Sequence, residues 1–202
     1  MMLLEIIKEH GLRRSFVNIF ILLICKVKVF FYRFFLSDNK PDIEGAKIRQ
    51  PTQFVGRGKI KIKGANLGVW PSPGLLAQTG YIEARSAEAV VEVDCSTFLN
   101  NGFVIIADKT SILIGARCLI GPSFFVSDSD FHGLELENRC NGRYECKCVV
   151  IEDDVFIGDN VRILKGVRIG RGAVIGSGSV VANDVEPMSV CAGVPARKIK
   201  FI

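Results

Sequence analysis

Residues 149–181 read VVIEDDVFIGDNVRILKGVRIGRGAVIGSGSVV, and an aliphatic side chain returns every sixth position. Ile151, Ile157, Ile163, Ile169, Ile175 and Val181 form one column. Two residues earlier in each unit stand Val149, Val155, Val161, Val167, Ala173 and Ser179. Between them lie small or turn-forming groups such as Gly158-Asp159-Asn160, Gly170-Arg171-Gly172 and Gly176-Ser177-Gly178. A period of six matches neither a helix nor a simple alternating strand. It matches a short strand plus a turn, repeated. Three units close a triangular coil of about 18 residues, and stacked coils bury the columns inside a prism. Glycine, Asn and Asp suit the corners, where left-handed backbone is required.

The same frame returns upstream at Ile114, Ile120 and Val126, and more loosely around Val55, Ile62 and Ile82. Residues 54 to about 186 leave room for roughly seven coils, less the loops. The period lapses over 133–148 (GLELENRCNGRYECKC), which reads as a loop extruded from the coil. The expected fold is therefore all-β, a parallel β-helix of hexapeptide repeats over 54–202 ending in a C-terminal tail.

Composition narrows the function. Hydrophobic residues make up 49% of the 202-residue chain and charged residues 23%, so it is globular rather than disordered. The net charge is +5, but residues 1–40 hold seven Lys/Arg against three Asp/Glu, and the rest holds 19 against 18. A nearly neutral body argues against nucleic acid as a partner. Two histidines exclude any site that needs three from one chain. We read no cleavable signal peptide ahead of the seven cysteines, so we expect reduced thiols in a cytoplasmic protein.

Residues 1–40 form a separate basic, aromatic segment that carries seven of the 18 aromatics. The stretch 16–36 (FVNIFILLICKVKVFFYRFFL) is long enough to span a bilayer. Lys26 and Lys28 at its middle, with Arg33 after them, each cost about 2.5–3.5 kcal/mol there, against about 0.3–0.6 returned per Ile, Leu, Phe or Val. An amphipathic helix lying at the membrane interface fits better, which would make the protein peripheral at the inner face of the cytoplasmic membrane. Packing on the protein's own body is the main alternative, and spanning the least favoured. Residues 41–53 read as a linker.

The chain resembles the hexapeptide-repeat acyltransferases. The segment 125–132 (FVSDSDFH) is similar to the family's stretch ending in its catalytic histidine. Residues 98–102 (FLNNG) are similar to its asparagine-bearing strand one coil earlier, and 174–199 (VIGSGSVVANDVEPMSVCAGVPARKI) to its last coils and terminal motif. Within the family the resemblance is to maltose, galactoside and polysaccharide O-acetyltransferases, with 67–85 (LGVWPSPGLLAQTGYIEAR) similar to lipopolysaccharide or capsule enzymes. It implies a left-handed β-helix and transfer of acetyl from acetyl-CoA to a sugar hydroxyl, without a metal. It also implies a homotrimer with the active site between neighbouring subunits.

Thioester-to-alcohol transfer needs a base, oxyanion donors and a groove for the carrier. An imidazole, with an ordinary pKa of about 6.5, is largely neutral at pH 7 and suits the first role. His132 is the candidate base, with a carboxylate or carbonyl on its other ring nitrogen to fix the tautomer. His10 has no such context. Asn101 is the candidate amide that holds sugar or histidine, with Asn100 as its competitor, and Asp130 is a candidate orienting or substrate-binding carboxylate. The resemblance places acetyl-CoA against Ser177, Ala182, Asn183, Arg197 and Lys200. Asn183 stands where relatives often carry Lys. Arg143 and Tyr144 in the extruded loop are candidate sugar contacts. Cys140, Cys146 and Cys148 beside His132 form a poor zinc set, because paired ligands more often lie two to four residues apart and zinc would consume the base.

Three competing readings remain. A γ-carbonic-anhydrase-type hydratase needs three zinc-binding histidines. A non-catalytic β-helix scaffold would not need the histidine segment. Transfer to an amino sugar or small amine uses the same machinery on nitrogen.

Overall fold

The computed structural model describes residues 12–141 and 143–202. His10 and the rest of the first eleven residues lie outside them. The body is a triangular prism of six stacked coils, each contributing one short strand to each of three faces. The first coil holds β1 (Asp42–Glu44), β2 (Lys47–Ile48) and β3 (Thr52–Val55), and the second β4 (Lys59–Lys63), β5 (Asn66–Leu67) and β6 (Gly80–Ala84). The third holds β7 (Val90–Val93), β8 (Phe98–Leu99) and β9 (Val104–Ala107), and the fourth β10 (Ser111–Ile114), β11 (Leu119–Ile120) and β12 (Phe125–Ser127). The fifth holds β13 (Val149–Ile151), β14 (Phe156–Ile157) and β15 (Arg162–Ile163), and the sixth β16 (Arg168–Ile169), β17 (Val174–Ile175) and β18 (Val180–Val181). Two further strands, β19 (Ser189–Gly193) and β20 (Ala196–Phe201), form an antiparallel hairpin that ends the second face.

The hexad columns are the core. Ile151, Ile157, Ile163, Ile169, Ile175 and Val181 are all buried, and so are the six residues of the second column. Ile151 pairs with Ile169, Ile157 with Ile175 and Ile163 with Val181 across adjacent parallel strands. Like side chains therefore stack directly in the interior. Fully burying each is worth about 1.5–3 kcal/mol. Corners turn on left-handed residues, among them Arg117, Asp154, Asn160 and Gly178, each with φ between 53° and 72°. A residue with a Cβ pays a steric cost there, which explains the Gly, Asn and Asp in the repeat's gaps.

Two sequence expectations are corrected. Residues 41–53 are not a linker: they supply β1, β2 and the first half of β3, so the prism starts at Asp42. Ile43 and Ile48 pack on the core, and Asp42, Glu44 and Lys47 point away. Charged outward positions dilute the aliphatic signal until it resembles a linker. The looser frame around Val55 was also displaced by one, since Phe54 is the buried residue.

Among the described residues, the N-terminal segment forms the helix α1 (Leu12–Phe35). One stripe of it rests on the body. Ile21 and Cys25 are buried against Leu75, with Trp70 beside them. The Trp70 indole donates to Asn18 Oδ1 at 3.1 Å, and the Lys28 ammonium donates to the Leu76 carbonyl at 2.9 Å.

Candidate active site

His132 lies in the excursion between β12 and β13, at the edge where the third face turns into the first. The start of that excursion is held firmly. Asp128, fully buried, accepts the backbone N–H groups of Asp108 and Thr110 at 2.7 Å and the Thr110 hydroxyl at 2.8 Å. It thus ties the turn after β12 to the turn after β9. Phe131 adopts φ 62°, an uncommon value for an aromatic residue, and the Arg85 guanidinium covers its ring at 5.0 Å. The chain then doubles back through a single 3₁₀ turn (Leu136–Asn138) and returns beside its own start, where Ser129 bridges Cys146. Gly133 is required by this folding back. A Cβ there would meet the Asn138 carbonyl oxygen at 2.6 Å and that of Arg143 at 2.7 Å.

The loop fixes the histidine chemically. His132 Nδ1 is 3.0 Å from the Arg139 carbonyl oxygen. A carbonyl can only accept, so Nδ1 carries a proton, and in the neutral imidazole Nε2 is then the nitrogen with the free lone pair. The expectation of a carbonyl or carboxylate partner is met by the carbonyl. His132 is exposed and lines a cleft of about 430 Å³ with Asp130, Glu135, Arg143, Tyr144 and Glu145.

Asp130 shares that cleft, but its ion-pair partner is Lys165, 3.1 Å away. Lys165 sits one coil below, in the turn after β15, and also pairs with Glu145. It therefore joins the outgoing and returning limbs of the loop. Glu145 in turn is pulled down to about 2 by hydrogen bonds from Lys165 and then Lys147. On the upper side, the Asp108 carboxylate holds Tyr144 and raises its phenol, and Lys109 stands 4.0 Å from the Tyr144 ring. The Cys146 thiol is pushed up by burial, so it is not a ready thiolate. Among the described residues no cluster of His, Cys, Asp and Glu has the arrangement of a metal site.

Asn101 is elsewhere. It occupies the edge between the second and third faces, in the turn from β8 to β9, and is fully buried. Its Oδ1 accepts the Val69 N–H at 3.1 Å, and its Nδ2 lies within 3.3 Å of the Val69, Ser72 and Pro73 carbonyls. Both amide N–H groups are used by the chain itself. The structure thus gives Asn101 the task of holding the 69–73 loop, not that of holding His132. Its competitor Asn100 caps the Asn101 N–H at 2.8 Å beside the outer surface of the second face.

The five candidate acetyl-CoA residues are all exposed but do not converge within one chain. Ala182 and Asn183 follow β18 on the same edge as His132, two coils beyond the histidine loop. Asn183 shares a cleft of about 230 Å³ with Arg197. Ser177 lies on the opposite side of the third face, in the turn from β17 to β18, and Lys200 is in β20.

The comparisons come down on the repeat. The model of the bacterial transferase hexapeptide (six repeats) matches residues 148–183, the fifth and sixth coils. These two coils carry the hexapeptide repeat of that model. No curated protein matches it at the sequence level. Solved structures share the fold of this hexapeptide-repeat protein at low identity. The polysialic acid O-acetyltransferase OatWY is 22% identical with a TM-score of 0.54, over 81% of this chain and 82% of that one. The hexapeptide-repeat acetyltransferase VCA0836 from Vibrio cholerae is 24% identical with a TM-score of 0.53, over 90% of each chain. The N-acyltransferase AntD from Bacillus cereus, solved with dTDP-4-amino-4,6-dideoxyglucose and coenzyme A, is 15% identical with a TM-score of 0.57, over 83% of each chain. These likenesses establish the left-handed β-helix of hexapeptide repeats.

Sequence reasoning missed Lys165 and the Arg139 carbonyl. A lysine in a repeat turn looks like any solvated corner residue, and a backbone carbonyl leaves no mark in sequence.

Proposed function

We propose that this hexapeptide-repeat protein is an acetyl-CoA-dependent O-acetyltransferase acting on a sugar hydroxyl, within surface polysaccharide biosynthesis. The observation that carries the reading is the Arg139 carbonyl on His132 Nδ1 beside an open cleft, an arrangement that makes Nε2 the basic nitrogen of the neutral imidazole. In this reading Nε2 takes the proton of the acceptor hydroxyl as its oxygen attacks the thioester carbonyl carbon. The tetrahedral intermediate then expels the coenzyme A sulfur, which receives the proton from the imidazolium. Transfer is direct, and no acyl-enzyme forms. Arg143 and Tyr144 line the cleft and would contact the sugar. The carrier would run along the same edge, past Lys165 towards Asn183 and Arg197.

Assembly is part of the proposal. Phe98, Leu119, Phe156 and Val174 stand in register across β8, β11, β14 and β17 on the outside of the second face. The first three are exposed, which supports a subunit contact there, in keeping with the homotrimer that the resemblance implies. A neighbour's edge would then bring residues such as Ser177 to another chain's groove.

The test is incubation with acetyl-CoA and purified surface polysaccharides while free coenzyme A thiol is followed. The reading requires acceptor-dependent thiol release and an acetyl group on the glycan that alkaline hydroxylamine removes. A hydroxylamine-stable acetyl group would mean an amine acceptor, and no release with any glycan or amine would favour a scaffold.

A further inference from the structure

Helix α1 is docked on one side only. Asn18, Ile21, Cys25 and Lys28 face the body, through the contacts to Trp70, Leu75 and Leu76. The opposite side is apolar without interruption. Phe16, Phe20, Leu23, Val27, Phe30 and Phe34 follow one another at spacings of three and four residues, and each is at least 55% exposed. That spacing places them on one stripe along the full helix, a continuous hydrophobic face that a protein in water does not ordinarily present. On a wheel of 100° per residue, Lys26 and Arg33 fall along one flank of the stripe and Arg13 along the other. The helix carries five Lys/Arg and no Asp or Glu.

We propose that this outer face of α1 is a docking surface for an anionic lipid bilayer, with the helix lying in the interface and the prism held above it. Charge selects the occupant. Phosphate head groups would neutralise Arg13, Lys26 and Arg33 while the six apolar side chains enter the acyl region. A second copy offering the same face would set its own Lys26 and Arg33 against these, with no carboxylate on either helix to compensate. A helix that spans the bilayer is also disfavoured, because the opposite stripe is already hydrogen-bonded to Trp70 and Leu76 of the body.

The experiment is co-sedimentation of the full chain with vesicles of phosphatidylcholine, with and without phosphatidylglycerol. Two variants accompany it: Phe16→Ser/Phe20→Ser/Phe30→Ser/Phe34→Ser and Lys26→Glu/Arg33→Glu. All these residues point away from the body. The emission of Trp70, the only tryptophan, reports whether α1 stays docked. We expect partition into the anionic vesicles about tenfold or more above the neutral ones, weakened by salt, and a loss of about tenfold or more in each variant with Trp70 emission unchanged. Three results would overturn the proposal. One is no sedimentation of the unmodified chain with anionic vesicles. Another is undiminished sedimentation of the serine variant. The last is a serine variant that differs from the unmodified chain in oligomeric mass and not in vesicle binding, which would identify a second copy as the occupant.

Discussion

His132 Nδ1 and the Arg139 carbonyl oxygen, seven residues apart in one loop, are 3.0 Å from each other. The tautomer of His132, the proposed base, is therefore set by the shape of the loop rather than by a neighbouring carboxylate. Perturbing that shape should change catalysis without touching the imidazole. Gly133→Ala would force a Cβ to within 2.6 Å of the Asn138 carbonyl oxygen and open the fold-back. We expect kcat to fall about ten- to a hundredfold, as for a misplaced catalytic group, while the thermal midpoint of the prism stays within a few degrees. Unchanged kcat in Gly133→Ala would show that the loop does not position the base.

Lys165 braces the same loop from the coil below through Asp130 and Glu145. Lys165→Met keeps the aliphatic stem and removes both ion pairs. The expected outcome is a fall in kcat of about tenfold and faster protease cleavage within 133–148, with no loss of the β-helix signal in circular dichroism. If cleavage of the loop is no faster, the brace is not what orders it.

Asn101 is predicted to matter for stability more than for chemistry. Asn101→Ala removes a fully buried amide and leaves its part-buried partners, the Val69 N–H and the Val69, Ser72 and Pro73 carbonyls, without it. A total loss of about 1–3 kcal/mol is expected, since water can reach part of what the amide leaves behind. Denaturant melts followed by Trp70 emission measure it. A variant with native stability but a hundredfold lower kcat would return Asn101 to the catalytic list.

Acid should act on the brace before it acts on the core. The Glu145 carboxyl is held near 2 in the folded chain, below its ordinary 4.5. A carboxyl lowered by folding contributes stability above the unfolded value, and that contribution fades as pH falls towards the folded one. Protease sensitivity of the 133–148 loop should therefore rise as the pH falls from about 4.5 towards 2, and high salt should produce part of the same effect at neutral pH. Glu145→Gln should show the heightened sensitivity already at pH 7. A loop whose cleavage tracks only global unfolding would contradict this.

The parts of the molecule that repeat were legible, because burial enforces the same residue type at every sixth position. Ile151 to Val181 could hardly mean anything else. The first coil was not legible. Its outward positions are charged, and only Ile43, Ile48 and Phe54 mark its interior. In the N-terminal segment the amphipathic helix was readable, but not that Asn18 and Lys28 on one side dock to the body while the phenylalanines stay outside. For the candidate site, the lapse of period around His132 marked the extruded loop, and the structure places His132 in a cleft there. Asn101 misled, since an asparagine beside a glycine looks the same whether its amide faces a ligand or its own backbone. The partner of His132 is a carbonyl, and Lys165 acts across coils, so neither followed from local pattern.

The central claim is that His132 Nε2 is the general base of a direct acetyl transfer. The most direct measurement is kcat of His132→Ala against the unmodified enzyme, with acetyl-CoA and the polysaccharide that supports turnover. The account predicts a loss of about 10²–10⁴-fold, the usual size of a general-base contribution, with acetyl-CoA binding changed no more than a few-fold. Turnover of His132→Ala within a few-fold of the unmodified enzyme would contradict it.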